Sequence, residues 1–162
     1  LARAYVSIGS NMRRRANVGS ALRSLGEAFG PLERSRVYES QAVGFAGEPF
    51  YNLVVGFDTE LTPQALVEQL RAIEDAHGRE RGPDKFAPRT LDLDLLLYDD
   101  LVLKEGRIQL PRDEITRFAF VLRPLAELLP EGRHPLSGES YGELWRAFDA
   151  TDQPLWPVEL EI

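Results

Sequence analysis

An α+β fold with segments in the order β, α, β, β, α, β follows from three features of the sequence. Residues 2–8 and 49–60 carry strand patterns, two stretches show helical spacing, and a leucine-rich strand closes the series. In "ARAYVSI", Ala4, Val6 and Ile8 alternate with Tyr5 and Ser7, and the strand runs into the breakers Gly9, Ser10 and Asn11. Val18, Leu22, Leu25 and Phe29 then recur at helical spacing before Gly30 and Pro31, which predicts a helix of about three turns. Residues 32–39 read weakly as a strand; "PFYNLVVGFDTE" at 49–60 reads strongly as one, from its aromatic and β-branched content. Thr62 and Pro63 have the chemistry of N-cap and first helical position for a second helix, with Leu66, Leu70, Ile73 and His77 as its inner stripe. The fourth strand is "LDLDLLLYD". This order is the ferredoxin-like βαββαβ core, an antiparallel sheet with helices packed on it. A hairpin turning at Glu105 and Gly106 is expected to follow it, then a helix within 113–129 interrupted by Pro124. The Pro-rich tail "TDQPLWPVELEI" is expected to wrap over the surface, and residues 1–162 to form a single domain without repeat or linker.

Composition narrows the chemistry. A hydrophobic content of 43% and a charged content of 28% are those of a water-soluble globular chain. There is no cysteine, so disulfides and zinc–thiolate sites are excluded. With only His77 and His134, a histidine-rich metal cluster is excluded too, and oxygen-ligated metals remain. A net charge of −7 argues against a broad nucleic-acid footprint. No apolar run reaches the length of a membrane span and no secretion signal opens the chain, so a cytoplasmic enzyme or binding domain is expected. Because the first residue is Leu1 rather than Met, preceding residues are expected to be missing or processed.

The fourth strand holds the most informative pair. Asp92 and Asp94 lie two apart, so alternation puts them on one face with Leu96 and Tyr98, and Leu91, Leu93, Leu95 and Leu97 on the other. Two adjacent carboxylates at the edge of a core either fray into water or share a cation such as Mg²⁺. The loop before them, "GRERGPDKFAPR", carries Arg79, Arg81, Lys85 and Arg89. Such a loop is either a solvated charge run or a clamp for a polyphosphate, and its place beside the aspartates favours the clamp. No GxxxxGK[ST] sequence is present, which excludes a P-loop. Phe50 and Asn52 share a strand face; the pair can stack on and hydrogen-bond a flat heterocycle, or belong to ordinary core and edge. Glu74 and Phe120 are equally open, the former to a ribose hydroxyl, an arginine or solvent.

Together these residues resemble the 6-hydroxymethyl-7,8-dihydropterin pyrophosphokinase family of folate biosynthesis. "SIGSN" at 7–11, "YNLVV" at 51–55, "IEDAHGRER" at 73–81, "PRTLDLDLLLYD" at 88–99 and "FVLRPLAELLP" at 120–130 carry the resemblance. It implies transfer of the β,γ-pyrophosphate of ATP to the pterin hydroxymethyl group, with AMP released and two Mg²⁺ ions held by Asp92 and Asp94. It also implies a phosphate-closing loop with Arg79, Arg81, Lys85 and Arg89, and a pterin pocket of Phe50, Phe120, Asn52, Asp92 and backbone near Ser40 and Val43. Gly9 would allow close packing beneath the pterin, and Glu74, Arg112 and Arg117 would serve the ATP side. The expected partners are these two small molecules alone, bound by a monomer without nucleic acid or membrane.

Departures from the family pattern are local. Phe86 stands where Trp is usual, Lys85 where Arg is usual, and Pro111-Arg112 where Pro-His is common; Arg117 sits one residue early for the usual arginine. Replacing Arg by Lys loses a bidentate fork. The alternative these changes raise is a pterin- or nucleotide-binding module without activity.

Overall fold

The computed structural model describes residues 1–41, 48–78 and 91–160. In chain order the core elements are β1 (Ala2–Ser10), α1 (Arg14–Phe29), β2 (Glu33–Arg34), β3 (Val37–Ser40), β4 (Phe50–Thr59), α2 (Pro63–Ala76) and β5 (Asp92–Tyr98). The hairpin β6 (Leu103–Glu105) and β7 (Ile108–Leu110), a 3₁₀ turn (Asp113–Thr116), α3 (Ala119–Leu128), α4 (Tyr141–Ala147) and β8 (Leu155–Val158) follow among the described residues. The main sheet has the order β5-β1-β4-β3-β8, every pairing antiparallel, with β2 paired beside β3 onto β4. Its β5-β1-β4-β3 part is the strand order of the ferredoxin-like core.

The two faces of the sheet are covered differently. Ala4, Val6, Ile8, Leu53, Val55 and Phe57 point to one face and form a core with Val18, Leu22 and Leu25 of α1 and Leu66 and Leu70 of α2. α2 begins as its sequence predicts, Thr62 Oγ1 accepting from the Ala65 amide at 3.1 Å with Pro63 at the first helical position. α1 is longer than three turns, at 16 residues, because its polar start at Arg14 lies ahead of the apolar stripe. Among the described residues, the opposite face is covered over only part of its length: Tyr5, Val54, Leu96 and Leu97 pack under Val121, Leu122 and Leu125 of α3 and Tyr141 of α4.

Three expectations are corrected. Along β5 the alternation holds only to Leu96. Val6 pairs with Leu95 and Tyr5 with Leu97, so Leu96 is an extra, bulged residue. Past it the faces exchange, Leu97 joining Leu96 under α3 and Tyr98 turning toward the α1/α2 core. Second, Pro124 does not interrupt its helix: α3 continues through it, and its ring is buried. A proline forgoes the bond to the carbonyl four residues back and crowds that carbonyl, and burial of an apolar ring offsets part of the cost. Third, the tail does not merely wrap. β8 adds to the free edge of β3, with Pro157 in the outermost strand, where a missing N–H is tolerated.

Candidate functional site

The part of the second face beyond α3 and α4 is where the polar strand residues converge. β1 runs through its middle, and Gly9 lies between Asn52 on β4 and Asp92 on β5, as Ser7 lies between Val54 and Asp94. A Cβ on Gly9 would stand 3.0 Å from Asn52 Oδ1 and 3.9 Å from the Phe50 ring, so the absent side chain is the floor of the depression. Asn52 is buried and donates through Nδ2 to Ser40 Oγ at 3.0 Å. That bond fixes the amide across β4 and β3. Phe50 opens β4 on the same face, and Phe120 stands in the first turn of α3, stacked on Phe118 with centroids 5.1 Å apart. Strand alternation and the sheet order thus bring Ser40, Phe50, Asn52, Asp92 and Asp94 together from three parts of the chain.

β5 is an edge strand, and its outward amides need partners. Glu74 supplies one: it is buried, and its carboxylate accepts from the Leu93 amide at 2.7 Å, between the two aspartates. It is therefore not a solvated helical glutamate: it fastens the strand that carries Asp92 and Asp94, and it also lines the cleft described next. Beside it a cleft of about 190 Å³ opens between α2, β5 and β7. Val67, Leu70 and Leu95 make its apolar wall, and Arg71, Arg107 and Arg112 bring charge to it.

Arg112 reaches from the segment after β7 back to Asp94, Nη2 to Oδ1 at 3.6 Å, and its Nε donates to Glu114. Burial disfavours its charge, but Asp94, Glu114 and Glu74 together hold the guanidinium above its ordinary range. Arg117, by contrast, is exposed and ion-paired with Asp113 at 3.0 Å over the Phe118 ring, outside the cleft. The candidates Arg79, Arg81, Lys85 and Arg89 and Val43 lie outside the described residues.

Two supports escaped the sequence. Arg14, at the start of α1, donates to Glu39 at 2.7 Å and to the Pro49 carbonyl at 3.0 Å, and lies 4.0 Å from the Tyr51 ring centroid. From the helix side it holds the residues flanking Ser40 and Phe50. Tyr38, buried beside Asn52, donates to Glu127 of α3, to which Arg36 also donates at 3.2 Å. Burial and the neighbouring carboxylate push the Tyr38 phenol up. Burial alone would raise Glu127, but the hydrogen bonds from Tyr38 and Arg36 hold it below the usual carboxylate range. These contacts span 25 to 91 positions, so no local pattern announces them.

Comparison with known proteins gives the family. Residues 5–130 match the model of the 7,8-dihydro-6-hydroxymethylpterin-pyrophosphokinase family. A 2-amino-4-hydroxy-6-hydroxymethyldihydropteridine pyrophosphokinase of Pseudomonas aeruginosa is 40% identical over 145 residues, covering 82% of this chain and 86% of that one. Its counterpart in Synechocystis is 37% identical over 151 residues, covering 88% and 76%. In fold, the chain is similar to a Plasmodium falciparum HPPK-DHPS crystal structure with a TM-score of 0.74 at 15% identity, covering 90% of this chain but only 42% of that one. Among the described residues no helix is long and apolar enough to cross a membrane. With its family match, close relatives and sheet-face site, the chain belongs to the 7,8-dihydro-6-hydroxymethylpterin-pyrophosphokinase family, which transfers pyrophosphate from ATP to the pterin in folate biosynthesis.

Proposed function

We propose that this chain binds the pterin in the Gly9 depression and ATP in the α2–β7 cleft, and that Asp92 and Asp94 stand where the two meet. The observation that carries this reading is the position of the aspartates: one sheet face, between the Asn52–Ser40 amide and the cleft holding Arg112. In the reaction the pterin hydroxyl oxygen forms a bond to the β-phosphorus while the bond from that phosphorus to the α,β-bridging oxygen breaks. AMP leaves with the bridging oxygen, and the hydroxyl proton passes to solvent.

Asn52, its orientation set by Ser40, reads the edge of the heterocycle, which lies flat over Gly9 between Phe50 and Phe120. The apolar wall of the cleft takes the adenine, while Arg107 and Arg112 meet phosphate oxygens with charge-assisted bonds. Glu74 acts at one remove, holding β5 so that both carboxylates face the reacting groups. Arg79, Arg81, Lys85 and Arg89 close the phosphates from the loop before β5. The donor set suits Mg²⁺: two hard carboxylates side by side, Asp94 with 44% of its side chain exposed, to be completed by phosphate oxygens. Two bound Mg²⁺ ions would neutralise the triphosphate and make the β-phosphorus a better electrophile. The protein works as a cytoplasmic monomer in this reading.

The test is AMP formation from ATP and Mg²⁺ with and without 6-hydroxymethyl-7,8-dihydropterin. Pterin-dependent AMP that falls about 10³-fold in Asp94→Ala is expected, in line with the loss of a main electrostatic stabiliser. Pterin binding without AMP in the native protein would overturn it.

A further inference from the structure

Arg112 is tied to β5 at two levels. Its backbone amide donates to the carbonyl of Leu96 at 3.0 Å, and Leu96 is the bulged residue of the strand. The bulge thus offers its carbonyl to the segment after β7 and brings Arg112 alongside Asp94, two residues earlier on the strand. The guanidinium then lies among acids from three elements, Glu74 of α2, Asp94 of β5 and Glu114 of the 3₁₀ turn. It lies on the cleft wall, 29% exposed, with Nη2 3.6 Å from Asp94 Oδ1. The guanidinium occupies a side of Asp94 that an incoming cation would use.

We infer that Arg112 is a resident counter-ion of Asp94 in the nucleotide-free protein, and that it yields the carboxylate to metal only when a triphosphate supplies the guanidinium with a new anion. The inference rests on the reading of Asp92 and Asp94 as the metal-binding pair. Its consequence is coupling: metal alone binds weakly because it must displace an ion pair, and metal and nucleotide each strengthen the other by the same factor. A guanidinium suits this exchange, because its fork keeps one nitrogen on Glu114 while others move from carboxylate to phosphate oxygens.

The experiment is Mn²⁺ titration of the whole protein by electron paramagnetic resonance, without nucleotide and with a non-hydrolysable ATP analogue. Arg112→Met is expected to bind Mn²⁺ alone about five-fold or more tighter than the native protein, and to lose most of the strengthening that the analogue brings. Arg112→Gln, which keeps a donor for Glu114 but cannot neutralise Asp94, is expected to shift in the same direction and serves if the methionine variant does not fold. Equal Mn²⁺ affinity in the native and substituted proteins, or weaker binding in the variants, overturns the inference. Asp94→Asn separates the two levels: if it leaves Mn²⁺ binding with the analogue intact, the metal pair itself is misassigned. If it abolishes that binding while the Arg112 variants match the native protein, only the counter-ion role fails.

Discussion

The two faces of the sheet are built from the same strands and differ in what is asked of them. The α1/α2 face is closed along its whole length, and Val6, Ile8, Val55 and Phe57 are fully buried there. The α3/α4 face is closed by helices at one end over Tyr5, Val54 and Leu97 and, among the described residues, left open by them at the other, over Gly9, Asn52 and the aspartates. Alternation lets one strand serve both, since each residue on the closed face has a neighbour on the open one. Stability and chemistry are thereby separated by a single residue step. The open end is held from the closed side, by Arg14 beneath Ser40 and Phe50 and by Glu74 beneath the aspartates.

Substitutions on the two faces are expected to part company. Ile8→Ala, on the closed face, should cost about 2–5 kcal/mol, read as a lowered urea midpoint, while the KM values of the protein that remains folded stay near native. An equal effect on pterin KM would mean the faces are not independent. One residue along the same strand, Gly9→Ala should lower the urea midpoint less than Ile8→Ala does and raise pterin KM about ten-fold, the cost of displacing one hydrogen-bonded amide. ATP KM should not follow; if it does, the depression is not a pterin site.

The smallest effect concerns the cover of the second face. His134 is buried against Tyr141, and its Nδ1 accepts from the Leu136 and Ser137 amides at 3.2 and 3.4 Å, which requires an unprotonated nitrogen. Burial lowers its pKa, and Glu139 only partly opposes this. The folded state therefore binds fewer protons than the unfolded chain as pH falls through the ordinary histidine range near ~6.5, and stability is lost below it. Hydrogen exchange at pH 5 is expected to show α4 loosening ahead of α1 and α2. In His134→Asn that difference between pH 7 and pH 5 should vanish; if it persists, another group is responsible.

Much of this was legible in the order of the residues. The βαββαβ series, the Thr62 cap, the shared face of Asp92 and Asp94 and that of Phe50 and Asn52 all follow from periods of two and near four, which are properties of the backbone itself. The motif blocks supplied the family. What the sequence left open lay at strand edges and breaks in period: the extra residue at Leu96, the helix running through Pro124, and β8 joining β3. Glu74 illustrates the point, because as a helical glutamate near the end of α2 it looks solvent-facing. Only the placement of β5 as an edge strand gives its carboxylate the Leu93 amide.

The sequence by itself determined which side chains share a face, and so the identities of the Asp92–Asp94 and Phe50–Asn52 pairs. The tertiary structure alone decided that these pairs meet across Gly9, that Arg112 stands against Asp94, and that all of them gather at one end of one sheet face. The physical reason is range. Side-chain direction within a strand is set by two successive residues, whereas pairing register, unsatisfied edge amides and the exchange of faces at a bulge depend on partners tens of positions away.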